Sequence, residues 1–347
     1  MRPLSMRREG SSRIIVIGDI HGCLDSLLRV LSLAEVIDEE GRWCGGQHAQ
    51  LVVCGDMVDE GASSRQVLQL LRSWQAQAGE QVTVLMGNHE LLFLQALAGR
   101  PDLLAWETVW SWAECEPRLL ALLTRHAIPR LTTAAMRRSL QQTFLTTGSA
   151  QYPEEYTGAC QGVPHAVAVQ AAEIIGALLT SDGTWQWLRR LPVADRIGEW
   201  GFFHGGPPSD FDGGIAELNK AFSASLHAGQ WLDPLLEPYR AGRSPVATRG
   251  WMDHGEEAVD ELLAPFGVSR VAFGHSPGAL NGIFGRLDQR WGKVFLADTY
   301  FSLGTEGFLE IMDSSVWAVY TDPGRRAFQR VHPTQPPLAA RELLWAK

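Results

Sequence analysis

Side chains that can bind a metal ion or move a proton follow several apolar runs of the sequence, each where the run ends. Three early runs end in GDIHG, GDMVDEG and GNHE, which begin at Gly18, Gly55 and Gly87, and two later runs end in a histidine followed by a small residue. Carboxylate, imidazole and carboxamide groups together suit a divalent transition metal such as Mn²⁺, Fe²⁺ or Zn²⁺. The candidate residues at these run ends are Asp19, His21, Asp56, Asp59, Asn88, His89, His204 and His275.

These candidates are too many for one metal ion. Shared through a bridging carboxylate, they fit two ions about 3.5–4 Å apart, an arrangement that stabilises the attacking and leaving oxygens of phosphoryl transfer. Each fragment alone is a weak signal, because Gly-Asp after a strand is common and a lone histidine is more often structural. The ordered set, with glycines that permit tight turns at each motif, predicts a dinuclear site.

The elements that must position these residues are read from the apolar runs. Strands are predicted over 13–17, 51–54 and 82–86, with a helix over 24–33 and another around 67–74. Three strand–loop–helix units in a row predict an α/β fold. In open α/β sheets, ligands bind at the carboxyl ends of the strands, which is where the motifs stand.

The later part of the chain divides into a helical stretch and a second set of strands. From 101 to 197 the strand signals fade, so we predict a helical insertion, or cap, between two parts of one catalytic domain, 13–100 and 198–332. Trp106 and Trp110 share a helix face in this insertion, where they either pack it on the core, the favoured interpretation, or cover the site. The later strands are predicted over 199–203, 270–273 and 294–297, and over 308–312 and 316–320 as a hairpin.

Composition narrows the range of partners. The chain has 347 residues with 30 Lys and Arg against 39 Asp and Glu, a net charge of −9, which argues against non-specific binding of nucleic acid. It holds no apolar run of about 18 residues. Its five scattered cysteines include no CxxC pair, which favours a reducing compartment. We expect no nucleic-acid or membrane partner and a cytoplasmic location, with a short N-terminal targeting segment as the alternative.

The three motifs resemble the signature of the calcineurin-like metallophosphoesterases, specifically the phosphoprotein phosphatase branch. The helical insertion, Gly41-Arg42-Trp43 and Ser244-Pro245 are similar to features of its bacterial and Shewanella-like members. The resemblance implies a metallophosphoesterase β-sandwich flanked by helices, with a helical insertion. It also implies two divalent metal ions, with Mn²⁺ as the first expectation and Fe or Zn as alternatives.

The resemblance also implies a role for each matching residue. A hydroxide between the metals would attack phosphorus in line, His89 would protonate the leaving oxygen, Asp59 would orient His89, and Arg249 would hold the phosphate. The implied metal ligands are Asp19 and His21 for the first ion, Asp56 as the bridge, and Asn88, His204 and His275 for the second.

Glu60 departs from the family pattern, which has an arginine at this place to contact the phosphate. Three interpretations remain open at the level of sequence. Glu60 points outward and Arg249 suffices, or another cation such as Arg65 compensates, or catalysis and substrate class are altered.

Three functions are therefore weighed. The leading prediction is a phosphatase that hydrolyses phosphate monoesters on phosphorylated proteins or peptides, at Tyr, Ser/Thr or both. The first alternative is a hydrolase of dinucleoside polyphosphates or other nucleotides with the same fold. The second is a catalytically weak scaffold that binds phosphorylated partners.

Overall fold

The computed structural model describes residues 13–128, 164–239, 243–312, 315–321 and 341–346. The α-helices are α1 (Leu24–Leu33), α2 (Ser64–Ala78), α3 (Asn88–Leu97), α4 (Trp106–Ala113), α5 (Pro117–Arg125), α6 (His165–Ser181), α7 (Thr184–Leu188), α8 (Ile215–Ala228) and α9 (Glu256–Leu263). The strands are β1 (Arg13–Ile17), β2 (Gln50–Val53), β3 (Val82–Val84), β4 (Ala194–Ile197), β5 (Trp200–Phe203), β6 (Arg270–Phe273), β7 (Asp288–Arg290), β8 (Val294–Leu296), β9 (Gly307–Met312), β10 (Ser315–Tyr320) and β11 (Arg341–Ala346).

The strands form two sheets. The first has the order β11-β10-β9-β1-β2-β3, in which β1, β2 and β3 run parallel and β9 pairs antiparallel with β1. The predicted hairpin is confirmed, because β9 and β10 pair antiparallel with Met312 opposite Ser315. The second sheet has the order β4-β5-β6-β8-β7, with β5, β6 and β8 parallel and an antiparallel strand at each edge.

The two sheets pack face to face. Neighbouring side chains of a strand point to opposite faces, so one face of β1 meets the other sheet and the opposite face meets the helices. Ile14 and Val16 of β1 share one buried cluster with Phe202 of β5 and Phe295 of β8. The alternate residues of β1 join the other cluster, which the helices line. The fold is therefore the α/β sandwich flanked by helices that the resemblance implied.

The insertion packs on this core through its tryptophans. The ring of Trp112 in α4 lies 5.4 Å from that of Phe93 in α3, and Trp106 is buried, in agreement with the packing interpretation. Helices α4 to α7 fall within the range predicted as insertion, and 129–163 lies outside the described residues. Strand β4 also falls in that range, although it pairs with β5 of the second sheet. The domain division itself stays a prediction.

None of the helices in the described ranges combines the length and the apolar character that crossing a membrane requires.

Candidate metal centre

The site residues meet at one edge of the sandwich, where the parallel strands of both sheets end. The loop after β1 contains Asp19 and His21, and the loop after β2 contains Asp56. The loop after β3 leads into α3, which begins at Asn88. Loops after β5 and β6 bring the remaining two histidines, His204 and His275, from the second sheet. The site therefore exists only where the two sheets are packed together.

Asp56 lies at the centre of the cluster, as expected for a bridging ligand. Its Oδ2 is 3.3 Å from His204 Nε2, 3.7 Å from His21 Nε2 and 4.0 Å from His89 Nε2. Donor atoms of two groups lie within 4.8 Å of one another, and Asp56 belongs to both, once with His21 and His89 and once with His204 and His275. One carboxylate thus faces two places where a cation could be held.

The other two predicted ligands lie against the same cluster. Asp19 Oδ2 is 4.0 Å from His21 Nε2, and the backbone N–H of His275 donates to both Asp19 oxygens at 2.9 and 3.1 Å. Asn88 Oδ1 is 3.0 Å from His204 Nε2. The structure therefore brings together all six residues that the sequence proposed as ligands.

Backbone carbonyls fix the orientation of two imidazole rings. His21 Nδ1 is 3.0 Å from the carbonyl of Val58, and His204 Nδ1 is 2.7 Å from that of Cys54. In each ring the contact at Nδ1 directs Nε2 toward Asp56. A hydrogen bond to the nitrogen that does not bind the metal orients metal-binding histidines in the same way. His275 Nε2 is buried and has no hydrogen-bond partner among the described residues. A buried nitrogen lone pair of this kind fits a metal ligand.

The electrostatics of the cluster also fit a cation. Burial, together with the charges of Asp298 and Asp56, raises the pKa of Asp19 well above its usual value. Burial also lowers the pKa of His275, and the positive charge of Arg249 lowers it further, which keeps this imidazole in the neutral form that binds metals. Carboxylates crowded in a dry site repel one another, and a bound divalent ion relieves that repulsion.

The loops hold these residues in a backbone conformation that side chains disfavour. Positive φ angles occur at His21 (46°), Asp56 (51°), Asp59 (69°), Glu60 (58°) and His275 (64°). Each costs on the order of 1–3 kcal/mol and persists only where the surroundings enforce it. Such strain collected around one cluster is typical of a functional site.

His89 and Asp59, which the sequence proposed as an acid and the residue that orients it, lie in direct contact. His89 Nδ1 is 2.8 Å from Asp59 Oδ2. Burial alone would lower the pKa of His89, but the carboxylates of Asp56 and Asp59 raise it to about 10. In the absence of metal, the imidazole is therefore held in its protonated form.

Arg249 lies beside the second group of ligands. Its Nη1 donates to the hydroxyl of Ser276 at 3.0 Å, and its charge acts on His275. A guanidinium in this place can face a phosphate held next to His275, because its planar fork matches two phosphate oxygens.

The N-terminal part of the chain matches a known family. Residues 12–148 match the model of the calcineurin-like phosphoesterases. This region therefore has the sequence signature of that family. The superfamily predicted from the motifs is confirmed, and members of this superfamily use divalent metal ions.

Two kinds of curated relative resemble part of this chain. "Shewanella-like protein phosphatase 2" from Arabidopsis thaliana is 32% identical over 95 residues, 26% of this chain and 24% of that protein. The symmetrical bis(5'-nucleosyl)-tetraphosphatase of Yersinia enterocolitica is 38% identical over 84 residues, 24% of this chain and 25% of that protein. Each match thus spans only about a quarter of the relative's length. The Shewanella-like branch named from the sequence is supported by the first.

A solved structure resembles this chain over almost its whole length. It is the cold-active protein-tyrosine phosphatase of a psychrophilic Shewanella species, which superposes with a TM-score of 0.58 and 20% identity. The superposition covers 97% of this chain and 81% of the phosphatase chain. At this identity the match shows the shared fold.

Glu60 does not point outward, and that sequence-based interpretation is wrong. The residue is 4% exposed, and its Oε1 lies 3.6 Å from His21 Nε2. The backbone N–H of Glu60 donates to Glu107 Oε1 of α4 at 3.0 Å, which ties the loop to the insertion. Glu60 therefore adds a carboxylate to the group formed by Asp19, His21 and Asp56.

Glu90 is a residue of the site whose role the sequence left unrecognised. Its two carboxylate oxygens accept from the backbone N–H groups of Asp56, Met57, Val58 and Gly87 at 2.7–3.1 Å. Burial and the nearby Asp56 raise the pKa of Glu90 to about 7, against the effect of these donors. Its place in the GNHE motif was the available signal.

Asp298 is a second residue that the sequence did not assign. It follows β8, is 1% exposed, and its Oδ1 accepts from the backbone N–H of Tyr300 at 2.8 Å. Together with burial, its charge raises the pKa of Asp19. Burial raises the pKa of Asp298 to about 6. The signal was present, because Asp298 stands at a strand end like the predicted ligands.

Proposed function

We propose that this phosphoesterase is a metal-dependent phosphatase that removes phosphate from phosphorylated proteins or peptides, at Tyr, Ser/Thr or both. The observation that carries the proposal is the position of Asp56, shared between two groups of metal-binding donors. A hydrogen-bonded His–Asp pair and an arginine lie beside these groups. This combination serves phosphate-ester hydrolysis, which needs neutralised charge, a proton for the leaving oxygen and a held phosphate.

The proposed ligands divide between two ions. Asp19 and His21 would hold the first, Asn88, His204 and His275 the second, and Asp56 both. Two divalent cations, when bound, would acidify a water molecule and neutralise the phosphate charge. A set of imidazoles with carboxylates and one carboxamide suits Mn²⁺, which we expect, and also Fe or Zn.

His89 is proposed as the general acid. Asp59 holds its Nδ1, so the proton available to a substrate is the one on Nε2, 4.0 Å from Asp56 Oδ2. The contact of Nδ1 with the Asp59 carboxylate favours the protonated ring, which can give up the Nε2 proton as the bond to the leaving oxygen breaks. Asp59 then stabilises the orientation of the ring throughout the transfer.

Arg249 is proposed to bind the phosphate oxygens. The hydrogen bond to Ser276 restrains the Arg249 side chain before a phosphate binds. Binding therefore costs less side-chain conformational entropy. Glu60 opposes this attraction from the side of His21. The balance between these two residues is therefore expected to set the affinity for phosphate dianions.

A nucleotide substrate is the second candidate. It is favoured by the sequence similarity to the symmetrical tetraphosphatase of Yersinia enterocolitica. The superposition on the Shewanella tyrosine phosphatase, over 97% of this chain and thus including the insertion, fits the phosphoprotein proposal. A scaffold role stays the third alternative, and the complete donor set gives it no support.

The test is phosphate release by metal-stripped protein with and without added Mn²⁺. The substrates are phosphotyrosine and phosphoserine peptides of matched sequence, and diadenosine tetraphosphate. Asp56→Asn is the control variant, because it keeps the shape of the central residue and removes its charge.

We expect Mn²⁺-dependent release from at least one peptide and a loss of about 10³-fold or more in Asp56→Asn. Faster cleavage of diadenosine tetraphosphate than of either peptide would replace the phosphoprotein proposal by the nucleotide one. No release from any substrate by protein that has bound Mn²⁺ would favour the scaffold.

A further inference from the structure

Helix α4 of the insertion contacts the loop that carries Asp59. Residues 107, 108 and 111 of this helix all hydrogen-bond to the segment between β2 and α2 or to its first helical turn. Glu107 accepts from the N–H of Glu60, and Ser111 accepts from that of Arg65 at 3.2 Å. A helix of the insertion thus seats the loop that presents the general-acid pair.

Thr108 makes the most direct of these contacts. Its hydroxyl donates to Asp59 Oδ1 at 2.6 Å and accepts from the backbone N–H of Asp59 at 3.0 Å. The other oxygen of the same carboxylate, Oδ2, is the one that faces His89 Nδ1 at 2.8 Å. The two carboxylate oxygens are therefore divided between Thr108 and His89.

Ser64 completes the network from the first turn of α2. Its Oγ accepts from the N–H of Asp59 at 3.1 Å and lies 3.0 Å from Thr108 Oγ1. Because the proton of Thr108 is directed to Asp59, the Ser64 hydroxyl is the donor between the two. Thr108 and Ser64 are both completely buried, so no water competes for these bonds.

We propose that Thr108 is a positioning residue of the proposed phosphatase, which sets the rotation of the Asp59 carboxylate so that Oδ2 faces His89. The inference rests on the proposed function and adds a contribution of the insertion to the acid step. Asp59 sits at a φ of 69°, which its own side chain does not favour. An outside hydroxyl that binds both its N–H and its carboxylate explains how this conformation is held.

The experiment uses the dependence on the leaving group. Dinitrophenyl phosphate releases a weakly basic phenolate that needs no proton. The phosphoserine or phosphotyrosine peptide, whichever the unmodified protein cleaves faster, releases a more basic oxygen that does. A defect in the acid pair therefore slows the peptide more than the aryl ester. A general loss of folding or metal slows both by the same factor.

Thr108→Val removes the hydroxyl and keeps the size of the side chain. We expect kcat for the phosphopeptide to fall about tenfold or more and kcat for dinitrophenyl phosphate to change less than about twofold. KM and Mn²⁺ content should stay the same. Thr108→Ser, which retains the hydroxyl, should restore most of the peptide rate. Thr108→Ala serves the same purpose as Thr108→Val if valine prevents folding.

Ser111→Ala is the matched control on the same helix. It removes a hydroxyl that binds α2 and the carbonyl of Thr108 and leaves the bond to Asp59 in place. Its ratio of peptide to aryl rate should equal that of the unmodified protein.

Equal losses on both substrates in Thr108→Val, or the same changed ratio in Ser111→Ala, would overturn the inference. An unmodified protein that cleaves neither ester would instead refute the proposed phosphatase. The two failures are therefore distinguished by the activity of the unmodified chain.

Discussion

At the scale of single residues, the site depends on which neighbour each polar atom contacts. His89 has one ring nitrogen bound to Asp59 and the other toward Asp56. Its Nε2 also belongs to a group of possible metal donors with Asp56 and His21. The role of acid and the role of ligand are separable by experiment.

His89→Asn should lower kcat for a phosphoserine peptide by about 10²–10⁴-fold, because asparagine cannot donate a proton as an acid. Mn²⁺ content, measured by elemental analysis after gel filtration, should stay near that of the unmodified protein. Near-normal turnover would remove His89 from the acid role, and loss of about half the metal would make it a ligand.

Glu60→Gln should lower KM for a small phosphate monoester by about three- to tenfold. The substitution removes a negative charge 3.6 Å from His21 Nε2, and charges near a partly dry site interact strongly. Glu60→Arg, if it folds, should lower KM further. Glu40→Gln, at an exposed carboxylate, is the matched control and should leave KM unchanged. Unaltered KM in both Glu60 variants would show that this carboxylate does not oppose phosphate binding.

At the scale of elements, buried carboxylates join helices to loops and strands that are distant in the sequence. Glu90 in the first turn of α3 holds the loop after β2 through four backbone N–H groups. Glu306, just before β9, accepts from Ser26 and Arg29 of α1 at 2.8 and 2.9 Å and from Thr321 after β10 at 3.0 Å. Each joins elements that are far apart in the sequence.

Glu90→Gln should lower the free energy of unfolding by about 3 kcal/mol, because an amide group would face N–H donors that a carboxylate now accepts. Urea unfolding of the metal-free protein measures this loss. Glu80→Gln, at an exposed residue, is the control and should differ from the unmodified protein by no more than about 0.5 kcal/mol. An equally small effect of Glu90→Gln would contradict the role assigned to this carboxylate.

Glu306 should make stability depend on pH in the acid range. Burial would raise its pKa, but hydrogen bonds from Arg29 and Ser26 hold the pKa below the usual value. Its stabilisation is therefore complete above the unfolded pKa of about 4.3 and is lost as the pH falls through the lower folded value. The difference in unfolding free energy between the unmodified protein and Glu306→Gln should shrink between about pH 5 and pH 3. A difference that is constant over this range would contradict the account.

The elements also show what the sequence could predict. Strands β1, β2, β3, β5 and β6 were found because both faces are buried, which demands continuous apolar runs. Strands β4, β7 and β11, with the sequences ADRI, DQR and RELLWA, lie at sheet edges, where polar residues are tolerated, and were missed. Periodicity marks the apolar face of α4 but cannot show that Thr108 meets Asp59, nor that Glu60 turns inward.

At the scale of the whole molecule, two sheets supply one site. The first sheet provides Asp19, Asp56 and Asn88, and the second provides His204 and His275. A metal that binds across them should stabilise the packed sandwich, since a ligand that binds only the folded state raises its stability. The cluster of predicted ligands could be found from sequence because every parallel strand points its carboxyl end to the same edge.

The count of metal ions tests the central claim most directly. Metal-stripped protein would be titrated with Mn²⁺ by calorimetry, and phosphate release would be measured at each addition. We predict two ions per chain, with activity that rises with the second, and a single tight ion in His204→Ala. Binding of only one ion by the unmodified protein at full activity, or full activity without any ion, would contradict the assignment of Asp56 as a bridge between two metals.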